Sequence, residues 1–94
     1  MEMKPDLVID ENGNKKWYWN GDYHREDGPA IEYSNGTRAW FRQGDMHRED
    51  GPAFEGSDGR ICWYLTGICY DFEEWIELLD CSDVEKLEFY LKWK

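Results

Sequence analysis

HREDGPA, residues 24–30, returns unchanged at residues 47–53. The offset is 23 residues, and extending it divides the chain into three units. They read LVIDENGNKKWYWNGDYHREDGP (7–29), AIEYSNGTRAWFRQGDMHREDGP (30–52) and AFEGSDGRICWYLTGICYDFEEW (53–75). Self-similarity at such a period is the mark of a repeat architecture, in which each unit buries its apolar face only against its neighbours. Trp17, Trp40 and Trp63 share one column, followed by Tyr18, Phe41 and Tyr64. Gly13, Gly36 and Gly59 form a second column, and Gly21, Gly44 and Gly67 a third. The third unit replaces HREDGP with YDFEEW, as a terminal unit that caps a stack does.

Each unit carries two turn signals. Asn12-Gly13, Asn35-Gly36 and Asp58-Gly59 tolerate the positive φ of type I′ hairpin turns. Asn20-Gly21, Gln43-Gly44 and Thr66-Gly67 mark the second. Aromatic runs such as KKWYW and RAWFR suit the strands between them. Pro29 and Pro52 have no ladder donor and belong at strand starts or edges. The pattern predicts three short antiparallel strands per unit, with Trp17, Trp40 and Trp63 stacked as a ladder along the sheet. After residue 70 the period changes. Asp71 with Glu74, and Ser82 with Glu85, form capping boxes. Phe72, Trp75, Ile76 and Leu79 then follow helical spacing, as do Val84, Leu87 and Leu91. Helices are expected over 71–80 and 82–93, their apolar faces closing the open end of the sheet against edge pairing. The fold class is mainly β (α+β): one domain over 1–94, an antiparallel β-meander of three repeats with a helical cap at 71–93.

Composition narrows the function. Sixteen aromatics in 94 residues (17%) argue against intrinsic disorder. A formal net charge of −10 repels nucleic acid and anionic membranes and favours a basic protein surface. No apolar run is long enough to span a bilayer, and MEMKPDLVID lacks the apolar stretch of a signal peptide, so a cytoplasmic location is expected. Three cysteines without metal-ligand spacing suit free thiols in a reducing compartment.

The 23-residue period, the paired glycine turns and the W-[YF]-x-x-G core resemble the MORN repeat, and especially its variant form, over residues 7–70. HREDGPA after WYxNG is similar to a subgroup found in bacteriophages and giant viruses. The resemblance implies a scaffold, dimerisation or protein-binding role, and immunity proteins that neutralise toxins belong to the variant group. HRED stands where the common MORN pattern has small residues and glycine.

His24 and His47 are the only histidines, and residues one unit apart lie too far apart to share an ion, so each is expected to brace a corner through backbone hydrogen bonds. Arg25 and Arg48 precede Glu26-Asp27 and Glu49-Asp50 and can bridge those carboxylates. Catalysis by the carboxylate pairs would need a nucleophile or an orienting group beside them, and the repeat supplies neither. Trp17, Trp19, Trp40, Trp63, Tyr18, Phe41 and Tyr64 suit either base or sugar stacking or the core, because aliphatic residues are scarce before residue 61. Trp19, whose equivalents are Arg42 and Leu65, is expected to be the exposed one. Pairing of Leu65 with Ile68 would put Tyr64 opposite Cys69 and leave Cys62 diagonal to it, too far for an easy disulfide.

Residues 71–83 carry Asp71, Glu73, Glu74, Glu77, Asp80 and Asp83 and no base. Glu73, Glu77 and Asp80 share one helix face, which reads as either a solvated face or a docking surface for a basic partner. No catalytic, metal or organic-cofactor motif is present, so the expected function is non-enzymatic. Charge and resemblance together point to a stoichiometric, phage-encoded inhibitor that occupies the basic nucleic-acid groove of a host defence complex, such as a CRISPR effector. An immunity protein, or a carbohydrate- or wall-binding repeat, are the alternatives. The expected partner-binding residues are Glu73, Glu74, Glu77 and Asp80, with Glu26, Asp27, Glu49, Asp50 and Trp19; oligomeric state is left open, a homodimer included.

Overall fold

The structure, a computed structural model, describes residues 5–79 and 81–93. The first unit contributes β1 (Asp6–Ile9), β2 (Lys15–Trp19) and β3 (Asp22–Tyr23). The second contributes β4 (Ile31–Glu32), β5 (Arg38–Ala39), β6 (Phe41–Arg42) and β7 (Asp45–Met46), its central strand being interrupted at Trp40. The third contributes β8 (Phe54–Glu55), β9 (Ile61–Leu65) and β10 (Ile68–Tyr70), followed by helices α1 (Phe72–Leu78) and α2 (Asp83–Trp93). The main sheet runs β1-β2-β4-β5-β8-β9-β10, with β3 paired to β2, while β6 and β7 pair separately. The architecture is the expected mainly antiparallel sheet with two C-terminal helices. Among the described residues, no helix is long and apolar enough to cross a membrane.

The sheet forks at Trp17 and Trp40. Trp17 N–H donates to the Ala30 carbonyl at 2.8 Å, and the Trp17 carbonyl accepts His24 N–H at 3.0 Å. Trp40 does the same with Ala53 and His47, at 2.7 and 3.0 Å. The first half of β2 therefore pairs with the next unit through Lys15–Glu32 and Lys16–Ile31, and the second half pairs with its own unit through Tyr18–Tyr23 and Trp19–Asp22. HREDGP is the excursion between those two neighbours.

The turns differ from expectation in an instructive way. At Asn12-Gly13, Asn35-Gly36 and Asp58-Gly59 only the glycine has positive φ. Gly13, Gly36 and Gly59 N–H return to the carbonyls of Asp10, Tyr33 and Gly56, which makes each a type I turn ending in a left-handed glycine. The side chains supply the reason: Asn35 and Asp58 turn back onto the N–H groups of Thr37 and Arg60 and hold ordinary φ values. The type I′ geometry belongs to the second set, where Asn20, Gln43 and Thr66 (φ 50°, 51° and 49°) precede glycines that are also at positive φ.

The Asp71 N-cap and the Ser82–Glu85 capping box form as the sequence predicts. Asp71 Oδ1 accepts Glu74 N–H at 2.9 Å. Ser82 Oγ accepts Glu85 N–H at 3.2 Å, and Glu85 reaches back to Ser82 N–H at 3.3 Å. α1 ends at Leu78, because Leu79 is already extended (φ −70°, ψ 135°); Asp80 lies outside the described residues. Trp63, Phe72, Trp75, Ile76 and Leu79 form the principal core under α1. The expected apolar face of α2 does not pack: Val84, Leu87 and Leu91 are exposed. Its inner face is aromatic instead. Phe89 lies 5.3 Å from Trp75, Trp93 5.5 Å from Trp63 and Tyr90 5.1 Å from Phe72. Two rings at i and i+4 bury more surface than the aliphatic stripe and match the edges of the core tryptophans.

Candidate functional site

Arginine builds each HREDGP corner. Arg48 Nε donates to Asp50 at 2.7 Å, and its Nη1 donates to the Pro52 carbonyl at 2.9 Å and to Glu55 at 2.7 Å. Its guanidinium carbon sits 3.9 Å from the centre of the Trp40 ring. Arg25 repeats the arrangement on Asp27 (2.9 Å), Pro29 (3.1 Å), Glu32 (3.5 Å) and Trp17 (3.9 Å). A Cβ on Gly28 or Gly51 would lie 3.0 or 2.7 Å from the guanidinium carbon, so the glycine gives the arginine room. The expected tryptophan ladder is thereby replaced: arginine faces cover Trp17 and Trp40. In the third unit the equivalent of Arg48 is Asp71, and Trp63 is covered by Phe72 and Trp75 at 4.9 and 4.6 Å. Rings do contact in the other aromatic column, Tyr18 on Tyr23 at 5.0 Å and Tyr23 on Phe41 at 5.2 Å.

The histidines brace the corners through the backbone, as expected. His24 Nδ1 accepts Gln43 N–H and His47 Nδ1 accepts Thr66 N–H, both at 2.9 Å. Each thus ties one unit to the left-handed turn of the next, and the proton resides on Nε2. Buried His24 leaves Nε2 without a hydrogen-bond partner, the Glu26 carboxylate standing 3.8 Å away. His47 Nε2 meets Glu49 at 2.7 Å, and Arg42 donates to the same carboxylate at 3.0 Å. The His47 hydrogen bond, more than Arg42, holds the Glu49 carboxyl below its usual range.

An open cleft of about 680 Å³ separates the two corner loops and is lined by Trp40, Phe41, Arg42, His47 and the charged residues of both loops. Glu26, Asp27, Glu49 and Asp50 all stand on its walls. Asp27, Asp50 and Glu49 are matched there by Arg25, Arg48 and Arg42, so this patch is of mixed charge. Trp19, expected to be the exposed tryptophan, is instead half-buried like Trp17 and Trp40, in the strand pair opposite Asp22.

The α1 surface is different in kind. Phe72, Trp75 and Ile76 turn inward, while Glu73, Glu74 and Glu77 are exposed. Glu73 and Glu74 occupy the first turn, where the helix dipole favours them. Among the described residues no three His, Cys, Asp or Glu side chains converge as a metal would require.

Sequence reasoning missed the arginine-on-tryptophan stack. A signal for it exists: Arg25 and Arg48 lie eight residues beyond Trp17 and Trp40, and the third unit, which loses the arginine, has new aromatics beside its tryptophan.

The β9–β10 hairpin has the predicted register, Leu65 opposite Ile68 and Tyr64 opposite Cys69. Both thiols are free, and Cys69 is near enough to influence Cys62. Burial first, and then the neighbouring thiol, raise the Cys62 pKa. Iodoacetamide at about pH 8 is therefore expected to alkylate Cys62 more slowly than a free cysteine, the thiolate being the nucleophile. Equal rates in a mass-spectrometric time course would show that Cys62 is not shielded.

No family model, curated protein or solved structure matches the chain.

Proposed function

We propose that the protein is a non-enzymatic binding module whose acidic α1 face docks on a basic surface of a protein partner. The observation that carries this reading is the division of α1: its apolar side chains are consumed by the core, and Glu73, Glu74 and Glu77 are displayed on a fixed, capped helix. In the corners, Asp27 and Asp50 stand among cations, braced by Arg25 and Arg48. Lysines and arginines that line a nucleic-acid groove are spaced for anions, and a rigid carboxylate row can take the place of phosphates. With the net charge of −10, this favours a stoichiometric inhibitor of a nucleic-acid-binding complex, and the repeat resemblance suggests a phage protein acting on a host defence complex in the host cytoplasm. An immunity protein would use the same surface on a toxin, and the identity of the captured partner separates the two.

The test reverses Glu73, Glu74 and Glu77 to Lys and follows association with the partner captured from host lysate. The on-rate is expected to fall by about 10- to 1,000-fold at low salt, and the wild-type on-rate to fall steeply as salt rises. Lys at positions 73 and 74 opposes the helix dipole by about 0.3–1 kcal/mol each, so Glu77→Lys, near the C-terminal end of α1, serves as the variant with intact stability. Unchanged kinetics at low salt would reject the acidic-face mechanism in favour of the aromatic sheet surface.

A further inference from the structure

We propose that the outer face of α2 is a second contact, which anchors an amphipathic helix of the partner bearing Lys or Arg beside its own apolar stripe. Val84, Leu87 and Leu91 are 67%, 59% and 78% exposed. Their i, i+3, i+7 spacing puts them on one face. Phe89 and Trp93, which hold α2 to the core, project from the opposite side. The stripe is thus displayed by the same packing that fixes the helix. The Ser82–Glu85 capping box gives the helix a defined start, so the platform is formed before a partner arrives.

The borders of the stripe select the occupant. Glu88, four residues from Val84, lies along one border, and Asp83, four residues from Leu87, along the other. Both are exposed. A convex helix with aliphatic residues at this spacing packs ridge into groove against another helix. Acids on both borders call for bases on that helix. A second copy of this chain is a poor occupant, since it would bring the same acids and a net charge of −10 against like charge. The inference rests on the proposed basic-partner reading but concerns a different helix, so the two can fail separately.

The test uses the full chain, isotope-labelled, with a Leu/Lys amphipathic helical peptide of about 18 residues as the probe. A Leu/Glu peptide of the same pattern and a Lys/Gln peptide without leucine are the controls. The Leu/Lys peptide is expected to shift amide resonances of residues 83–93, and the two controls are expected not to bind. Leu87→Gln with Leu91→Gln is expected to weaken binding by about tenfold or more while the circular dichroism spectrum is unchanged, since neither side chain packs in the fold. Shifts confined to other elements, equal binding by the double variant, or equal binding of the Lys/Gln peptide would each overturn the proposal. So would a wild-type dimer in sedimentation that the double variant dissolves, because the stripe would then be covered by a second copy. If the double variant loses the peptide while the α1 reversals leave partner association untouched, the α2 contact stands and the α1 reading falls.

Discussion

Replacing Trp75 with alanine is expected to leave the chain without a cooperative folded state at physiological temperature. Trp75 is fully buried and sits at the centre of the aromatic cluster, 4.6 Å from Trp63 and 5.3 Å from Phe89. Its Nε1 donates to the Arg48 carbonyl at 3.1 Å, so one side chain ties α1 to the second HREDGP corner. A Trp→Ala change in a core costs about 3–5 kcal/mol. A domain's whole stability is about 5–15 kcal/mol, and small domains sit at the lower end. The expected signature is loss of near-ultraviolet circular dichroism and of a sharp urea transition. Trp75→Phe keeps a ring but not the hydrogen bond and is expected to fall between. A Trp75→Ala protein that melts within a few degrees of wild type would show that the helical cap is not the centre of stability.

The two identical heptapeptides are expected to respond unequally to the same substitution. Arg48 is 14% exposed and both its hydrogen bonds to carboxylates are 2.7 Å long, whereas Arg25 is 22% exposed and reaches Glu32 only at 3.5 Å. Glu55, the deeper carboxylate at Arg48, is itself 20% exposed, against 36% for Glu32. Arg48→Ala would strand the Pro52 carbonyl, take the closer of two arginines off Trp40, and remove one of the two arginines on Glu55, leaving Arg38 on its other oxygen at 2.7 Å. Hydrogen bonds to charged groups are each worth about 1.5–3 kcal/mol, and a covering cation adds about 0.5–2 kcal/mol. A total loss of about 3 kcal/mol is expected for Arg48→Ala, or more than about 12 °C in Tm for a domain of this size. Arg25→Ala is expected to cost about half as much, because its partners are more exposed. Arg48→Lys should recover little, since a lysine cannot present the same planar fork or stack. Equal losses for Arg25→Ala and Arg48→Ala in parallel urea titrations would contradict this.

The sequence by itself determined what depends on near neighbours. The 23-residue period places the first, second and third strand of every unit, because turn chemistry and strand propensity act over a few residues. The same locality made the Asp71 N-cap, the Ser82–Glu85 capping box and the Leu65–Ile68 register readable, and put Glu73, Glu74 and Glu77 off the buried stripe of α1. Tertiary structure decided what depends on a distant partner. Which glycine turn adopts the type I′ form was settled by strand pairing, which leaves two-residue loops at Asn20-Gly21, Gln43-Gly44 and Thr66-Gly67 and longer ones at the other set; His24 and His47, nineteen residues earlier, then hold the amides of Gln43 and Thr66. Which face of α2 turns inward was settled by competition for Trp63 and Trp75, where rings at 89 and 93 outweighed Val84, Leu87 and Leu91. The unequal weight of Arg25 and Arg48 has the same origin. Their local sequences are identical, but only Arg48 offers its carbonyl to Trp75, and burial by the helical cap is a property of the assembled fold.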